Sequence, residues 1–181
     1  MNATPAGPAA ATPSPRHRSA WRPLLLIALP IFVADQATKA FVRQVLVLHD
    51  SLTVIPGLVE LTHVRNTGAA FGILNSVEFP FKPIVMMLIA FGALIAIGVY
   101  AVKLGAHERL ARTGLALILG GAVGNLLDRA MHGYVLDFVD VYYGTVHFWA
   151  FNVADASISV GAVLVLFEVI FSGRQHASAA V

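Results

Sequence analysis

Residues 83–102 form an uninterrupted run of twenty residues without a charged side chain. A helix of about 20 apolar residues is what crossing the hydrocarbon core of a bilayer requires. Further apolar stretches at about 22–46, 110–128 and 152–172 are long enough to do the same. The chain is 57% hydrophobic and only 12% charged, whereas soluble domains carry about 25% charged residues. We therefore predict an all-α membrane protein, a bundle of four transmembrane helices.

The ends of the chain differ in composition from the apolar stretches. Residues 1–20 are rich in Ala, Pro, Thr and Ser and lack apolar periodicity, which predicts a disordered tail. The basic residues and short apolar run that follow could instead form a signal peptide. An acid and a lysine come next, without a small-residue cleavage site, so we favour a first span at 22–46. The membrane domain then covers residues 21–173, and residues 174–181 form a second tail.

Basic residues are distributed unevenly between the two sides of the four spans. Seven lie on the side of the termini: Arg16, Arg18, Arg22, Lys103, Arg109, Arg112 and Arg174. Four lie on the opposite side: Arg43, Arg65, Lys82 and Arg129. Because cytoplasmic loops are enriched in Lys and Arg, we predict that both termini are cytoplasmic and that segments 47–82 and 129–151 are outside. Since the basic residues sort by side and form no patch, we expect no nucleic-acid partner.

The two outer segments have features of β-structure. Residues 58–65 are strand-like and are followed by the turn-prone sequence Asn66-Thr67-Gly68. Residues 135–149 are rich in β-branched and aromatic side chains, which favour strands. We predict a small extracytoplasmic β-platform at the membrane surface, with an outer arm over residues 129–150 that is either helical or extended.

An acid and a base share one face of the first span. Asp35 and Lys39 are four residues apart, so their side chains can pair on a helix. Pairing lowers the free-energy cost of placing each charge in the bilayer. One interpretation is a structural pair that docks this span against its neighbours, and the other is a direct chemical role.

Small residues define one face of the third span. They are Gly120, Gly121 and Gly124. Such a face lets helices approach closely in lipid, and Asn125 and Asp128 lie on the same part of the helix, where they can face the bundle interior. The helix dipole disfavours an anion at a C-terminal end. Asp128 therefore either forms a polar cluster with Arg129 or takes part in chemistry.

Three more acids lie near the outer surface. Asn152 and Asp155 have the spacing of a helix cap and the third helical residue, so Asp155 can complete a capping box, act chemically, or do both. Asp137 and Asp140 lie among apolar residues and would point to opposite faces of an extended run. At most one of them can then face the bundle, and the spacing does not say which. Two carboxylates that share a proton can activate a water molecule.

Other kinds of site receive little support from the sequence. The histidines show no metal-ligand spacing such as HExxH. The chain has no cysteine, which excludes disulfides and thiolate catalysis. We therefore expect neither a metal nor a cofactor.

Five motifs occur together in the order that characterises a known family. They are Asp35-Gln36-Ala37-Thr38-Lys39, Asn66-Thr67-Gly68-Ala69-Ala70-Phe71-Gly72, Gly124-Asn125-Leu126-Leu127-Asp128-Arg129, Val135-Leu136-Asp137-Phe138 and Phe151-Asn152-Val153-Ala154-Asp155. On these motifs the chain resembles the lipoprotein signal peptidases (signal peptidase II), which are aspartic proteases of bacterial membranes. The resemblance covers about residues 21–172.

The resemblance implies roles for individual side chains. The catalytic dyad of the family falls on Asp137 and Asp155, which leaves Asp140 in a supporting role. Residues implied in substrate binding or support are Asn66, Gly68, Gly121, Asn125, Asp128, Arg129, Asn152 and Ala154. Asp35 and Lys39 are implied as a structural polar pair.

The resemblance also implies a reaction. The protein would be an endopeptidase of the bacterial cytoplasmic (inner) membrane that removes the signal peptide from diacylglyceryl-modified prolipoproteins, cutting before the lipidated cysteine at the outer face. Its partners would be these prolipoproteins and membrane lipids, and we expect a monomer.

Two alternatives belong to other classes. A small proton- or ion-coupled transporter could use Asp35, Lys39, Asp128 and Asp155 as a relay. Transport sites usually lie near the bilayer midplane between repeats, whereas these acids gather at one surface and the sequence shows no repeat. The second alternative is a non-catalytic membrane scaffold in which the acids only cap helices.

Overall fold

The computed structural model describes residues 21–68, 73–105 and 108–178. The predicted N-terminal tail, residues 1–20, lies outside the described residues. Within the described residues, eight elements follow one another: α1 (Trp21–Val45), β1 (Ser51–Ile55), β2 (Val59–Asn66), α2 (Lys82–Lys103), α3 (Arg109–His132), β3 (Val135–Tyr143), β4 (Val146–His147) and α4 (Val153–Ser178). Helix α4 therefore continues past residue 173, where we predicted the membrane domain to end.

In the part of the chain that the structure describes, four helical segments are long and apolar enough to cross a membrane: Leu24–Val45, Lys82–Ala101, Arg109–His132 and Val153–Phe171. Many large apolar side chains are exposed along them, as a surface that contacts lipid tails requires. Together with the small sheet described below, these helices confirm the predicted fold class.

Helix α3 is the centre of the bundle, because it packs against each of the other three helices. Its glycines allow this close packing. A Cβ atom at Gly120 would lie 2.6 Å from the carbonyl oxygen of Ala28 in α1, and one at Gly121 would lie 2.5 Å from that of Ala154 in α4. The predicted glycine face therefore brings α1 and α4 into backbone contact with α3.

The four strands form one antiparallel sheet in the order β1-β2-β3-β4. Helix α3 ends where Gly133 adopts a φ of 78° and donates its backbone N–H to the carbonyl oxygen of Arg129, a helix termination that favours glycine. The outer arm is extended from Val135 onwards. In the pairing of β2 with β3, Asn66 lies opposite Val135, two residues before Asp137 on β3.

Two apolar clusters pack at different levels of the molecule. One joins the helices and contains Leu24, Ala101, Leu115 and Ala116. The other lies under the sheet and contains Val42, Leu136 and Phe138. Along α1, Asp35 and Lys39 are fully buried and fall between the residues of the two clusters. A layer of buried polar groups therefore lies where the bundle meets the sheet.

Candidate active site

Asp137 lies on β3 and is 4% exposed. Both of its carboxylate oxygens accept hydrogen bonds from asparagine amides. Asn152 Nδ2 donates to Oδ1 at 2.7 Å, and Asn66 Nδ2 donates to Oδ2 at 3.0 Å. The strand holds the carboxylate rigidly, and the two amides leave it little freedom to turn.

Asp155 lies in the first turn of α4 and faces the same polar layer. Asn125 Nδ2 of α3 donates to Asp155 Oδ1 at 2.8 Å. The backbone N–H of Asp155 donates to Asn152 Oδ1 at 2.9 Å, and the backbone N–H of Asn152 donates to Asp155 Oδ2 at 3.3 Å. This reciprocal pair is the capping box that the sequence predicts. The cap fixes the Asp155 carboxylate at a rigid helix end.

Asn152 connects the two acids. Its amide nitrogen donates to Asp137 while its amide oxygen accepts from the backbone of Asp155. Burial, together with the neighbouring charge of Asp155, raises the pKa of Asp137 to about 7, although the hydrogen bonds from Asn66 and Asn152 act in the opposite direction. Two neighbouring carboxyl groups in a buried site retain a proton at a pH at which isolated carboxyl groups would have lost it.

A buried ion cluster lies directly beneath the two acids. Lys39 Nζ is 2.8 Å from Asp35 Oδ2 and 2.8 Å from Asp128 Oδ2, and all three side chains are fully buried. Lys39 also donates to Asn125 Oδ1 at 2.9 Å. The ion pair predicted within α1 is present, and it extends to α3 and to the amide that holds Asp155.

Asp35 also contacts the N-terminus of α4. Its Oδ1 accepts the backbone N–H of Ala154 at 3.0 Å, an interaction that satisfies a free helix donor and favours a negative charge. A Cβ atom at Gly124 would collide with the same carboxylate. Asp35 therefore joins three helices at the point from which Asp155 projects.

Asp128 does not pair with its neighbour Arg129 in the way that the sequence suggested. Its Oδ1 accepts from Arg43 Nη2 at 3.0 Å, and its Oδ2 pairs with Lys39. Adjacent residues of a helix point in different directions. Arg43 was not recognised as a site residue in the sequence, although it lies four residues after Lys39 and therefore on the same face of α1.

Arg129 reaches the loop after β2 instead. Its Nη2 donates to the carbonyl oxygen of Gly68 at 2.9 Å, and its Nη1 donates to that of Asn125 at 3.3 Å. The backbone N–H of Gly68 donates to Asn66 Oδ1 at 3.0 Å. Asn66, which donates to Asp137, and Arg129 therefore both bind the backbone of Gly68.

Asp140 lies away from this network. Its Oδ2 is 2.7 Å from His147 Nδ1, across the pairing of β3 with β4. Asp137, and not Asp140, therefore faces the polar layer. Within residues 21–68, 73–105 and 108–178 no group of three or more acidic, His or Cys side chains is arranged to hold a metal ion.

Comparison with known proteins identifies the family of this chain. The family model described as signal peptidase (SPase) II matches residues 27–171. The chain belongs to the signal peptidase II family. A lipoprotein signal peptidase of Geobacter metallireducens is 41% identical over 156 residues, covering 86% of this chain and 95% of its own. That of Maridesulfovibrio salexigens is 44% identical over 137 residues, covering 76% of this chain and 88% of its own.

A solved structure of a bacterial membrane enzyme superposes with a TM-score of 0.74 at 32% sequence identity, covering 83% of this chain and 89% of its own. The resemblance that the five motifs indicate is thereby confirmed, and the protein is a multi-pass membrane protease. Membership of this family does not favour the transporter alternative.

Proposed function

We propose that this protein is an aspartic endopeptidase that removes the signal peptide from diacylglyceryl-modified prolipoproteins, cutting before the lipidated cysteine. The observation that carries the proposal is the pair of acids, buried Asp137 and partly buried Asp155, joined through Asn152. The relatives named lipoprotein signal peptidase support the substrate class. Distribution of the basic residues favours cytoplasmic termini and a dyad at the outer face, where a lipid-anchored peptide bond would lie.

Charge balance supports a dyad that holds one proton. Among the described residues around it, the cations are Lys39, Arg43 and Arg129, and the other anions are Asp35 and Asp128. A dyad that carries one negative charge makes this set of three cations and two anions neutral. Two ionised carboxylates would leave an uncompensated buried charge, which is costly in a low-dielectric site.

The proposed reaction uses both protonation states of the dyad. The ionised carboxylate takes a proton from a water molecule, whose oxygen attacks the carbonyl carbon of the scissile bond. The protonated carboxyl donates to the carbonyl oxygen and stabilises the charge that develops on it. When the tetrahedral intermediate breaks down, the C–N bond cleaves and the leaving amine takes up a proton from the dyad.

The remaining residues act by positioning these groups. Asn66 and Asn152 orient Asp137, whereas Asn125 orients Asp155. Arg129 holds Gly68 through its carbonyl oxygen. Gly121 and Ala154 keep α3 and α4 close, so that Asn125 reaches Asp155.

The experiment is cleavage of a diacylglyceryl-modified precursor by the purified protein in proteoliposomes, with the product identified by mass spectrometry. Asp137→Asn and Asp155→Asn should each reduce kcat/KM by about 10²–10⁴-fold or more, the usual size of an acid–base contribution. Asp140→Asn should retain most of the activity. Normal processing by either dyad variant would contradict the assignment, and ion flux without cleavage would favour a transporter.

A further inference from the structure

Arg43 is the outermost cation of the ion cluster. It lies on α1, its side chain is 23% exposed, and its Nη2 is 3.0 Å from Oδ1 of the fully buried Asp128. No motif of the sequence singles it out. Because Asp128 is fully buried, this pair differs from a surface ion pair. Removing Arg43 would leave the buried charge of Asp128 without this partner.

A continuous series of polar contacts leads from Arg43 to the dyad. Asp128 accepts from Arg43 through one oxygen and pairs with Lys39 through the other. Lys39 Nζ donates to Asn125 Oδ1 at 2.9 Å. The amide nitrogen of Asn125 then donates to Asp155 Oδ1 at 2.8 Å. Three side chains therefore separate the guanidinium group of Arg43 from a carboxylate of the dyad.

Lys39 is shared between two anions and one amide. Asp35 and Asp128 each lie 2.8 Å from its ammonium group, so its single positive charge cannot balance both. Arg43 supplies the second positive charge on the Asp128 side. This arrangement lets Lys39 remain equidistant from the two acids while it donates a hydrogen bond to Asn125.

We infer that Arg43 is a positioning residue of the cleavage reaction: by neutralising Asp128, it holds Lys39 on Asn125 and keeps the dyad in its singly protonated state. This inference rests on the proposed dyad of Asp137 and Asp155. The charged groups that act on the dyad are Asp35 and Lys39 from α1 and Arg129 from α3, whereas Asp128 of α3 pairs with Lys39. Strand β2 contributes the neutral amide of Asn66.

Removal of the Arg43 charge has a definite consequence for pH dependence. The cluster would carry one additional negative charge, and Lys39 would be drawn towards Asp128 and away from Asn125. Both changes favour protonation of the dyad. The acidic and alkaline limbs of the kcat/KM profile should therefore move to higher pH by about one unit, the size expected for one charge roughly 10 Å away at an effective dielectric constant of about 20.

The test compares three variants in the proteoliposome cleavage assay over a range of pH. Arg43→Gln should shift both limbs upwards, and Arg43→Lys, which keeps the charge, should restore the wild-type profile. Arg65→Gln is the matched control, because Arg65 is an exposed arginine whose guanidinium stacks 4.7 Å from the ring centroid of Tyr134. It should leave the profile unchanged. KM should change little in all three, since Arg43 acts through the dyad.

A second pair of variants keeps the test decisive if Arg43→Gln does not fold. Asp128→Asn alone should shift the profile to lower pH, and the double variant Arg43→Gln/Asp128→Asn should return it towards that of the wild type. Suppose that the wild type cleaves the precursor and Asp137→Asn does not. Unshifted pH profiles of the Arg43 and Asp128 variants would then overturn the role of Arg43 and leave the assignment of the dyad intact. An equal shift in Arg65→Gln would also overturn it, since the effect would then be one of general surface charge.

Discussion

The pKa of Asp137, raised to about 7 chiefly by burial, places a titration within the range of an ordinary activity assay. The proposed reaction needs one protonated and one ionised carboxyl group. Above about pH 7 the pair loses its remaining proton, and the donor to the carbonyl oxygen is lost. We expect kcat/KM to fall about tenfold per pH unit on this alkaline side. A profile that stays flat to pH 9 in the cleavage assay would contradict a shared proton.

The same residue affects the stability of the fold. The pKa of Asp137 in the folded protein lies above its ordinary value of 3.8, so the folded state binds the proton more tightly than the unfolded state. The stabilisation from this proton is complete below about pH 4 and is lost as the pH rises through 7.

Asp137→Asn removes this dependence. At pH 8 the variant should unfold at a higher temperature than the wild type, and the difference should diminish towards pH 5. Each kcal/mol corresponds to about 2–4 °C for a chain of this size, so a shift of several degrees is expected in detergent-solubilised protein. If the variant were less stable than the wild type at pH 8, the ionised carboxylate of Asp137 would not destabilise the folded protein.

Among the elements, the contact between α3 and α4 depends on glycines that face each other. A Cβ atom at Gly161 would lie 2.5 Å from the carbonyl oxygen of Gly114 and 2.7 Å from a side-chain carbon of Ile118. Gly161→Ala should destabilise the protein by about 1–3 kcal/mol, as overpacking does, and should lower activity because α4 carries Asp155.

Gly92 of α2 is the control for that substitution. A Cβ atom there would meet nothing within 4 Å. Gly92→Ala should leave activity unchanged and raise stability slightly, since Ala is favoured over Gly within a helix by about 0.5–1 kcal/mol. Comparing the thermal unfolding temperatures of Gly161→Ala and Gly92→Ala in the same detergent separates the effect of helix packing from that of helix propensity. Equal effects would show that the contact between α3 and α4 is not tight.

The elements also show what the sequence could predict. The four helices follow from hydropathy, and the cap of α4 follows from the spacing of Asn152 and Asp155. Strand β1 was not predicted as a separate strand, because all five of its residues are exposed and carry no alternation between a buried and a solvent face. Helix and strand periodicities report local structure, and β1 exists only through its pairing with β2.

The contact between Arg43 and Asp128 could not be predicted from the sequence, for a similar reason. The two residues are 85 positions apart, and the packing of α1 on α3 decides that they meet. The spacing of Asp137 and Asp140 showed that only one could face the bundle, but selecting Asp137 required either the family resemblance or the pairing of β3 with β2. Long-range packing, and not local propensity, therefore completes the site.

At the scale of the whole molecule, the apolar bundle and the sheet each supply one carboxylate of the proposed dyad. Helices α1, α3 and α4 bring the ion cluster and Asp155 to one end of the bundle, and β3 supplies Asp137 from the sheet. A dyad built from one helix end and one strand lies where a membrane span passes into an extramembrane element. The substrate bond of a lipid-anchored protein lies at the same level, provided that this end faces outwards.

That orientation can be tested because the chain contains no cysteine. Ser51→Cys places a thiol at the exposed start of β1, and Ser178→Cys places one at the end of α4. Because seven basic residues lie on the side of the termini and four on the other, an impermeant maleimide should label only Ser51→Cys in intact spheroplasts. Permeabilisation should add labelling of Ser178→Cys, whereas the wild type gives no signal in either case. Labelling of Ser178→Cys before permeabilisation would place the dyad on the cytoplasmic side, away from the lipidated cysteine of an exported precursor.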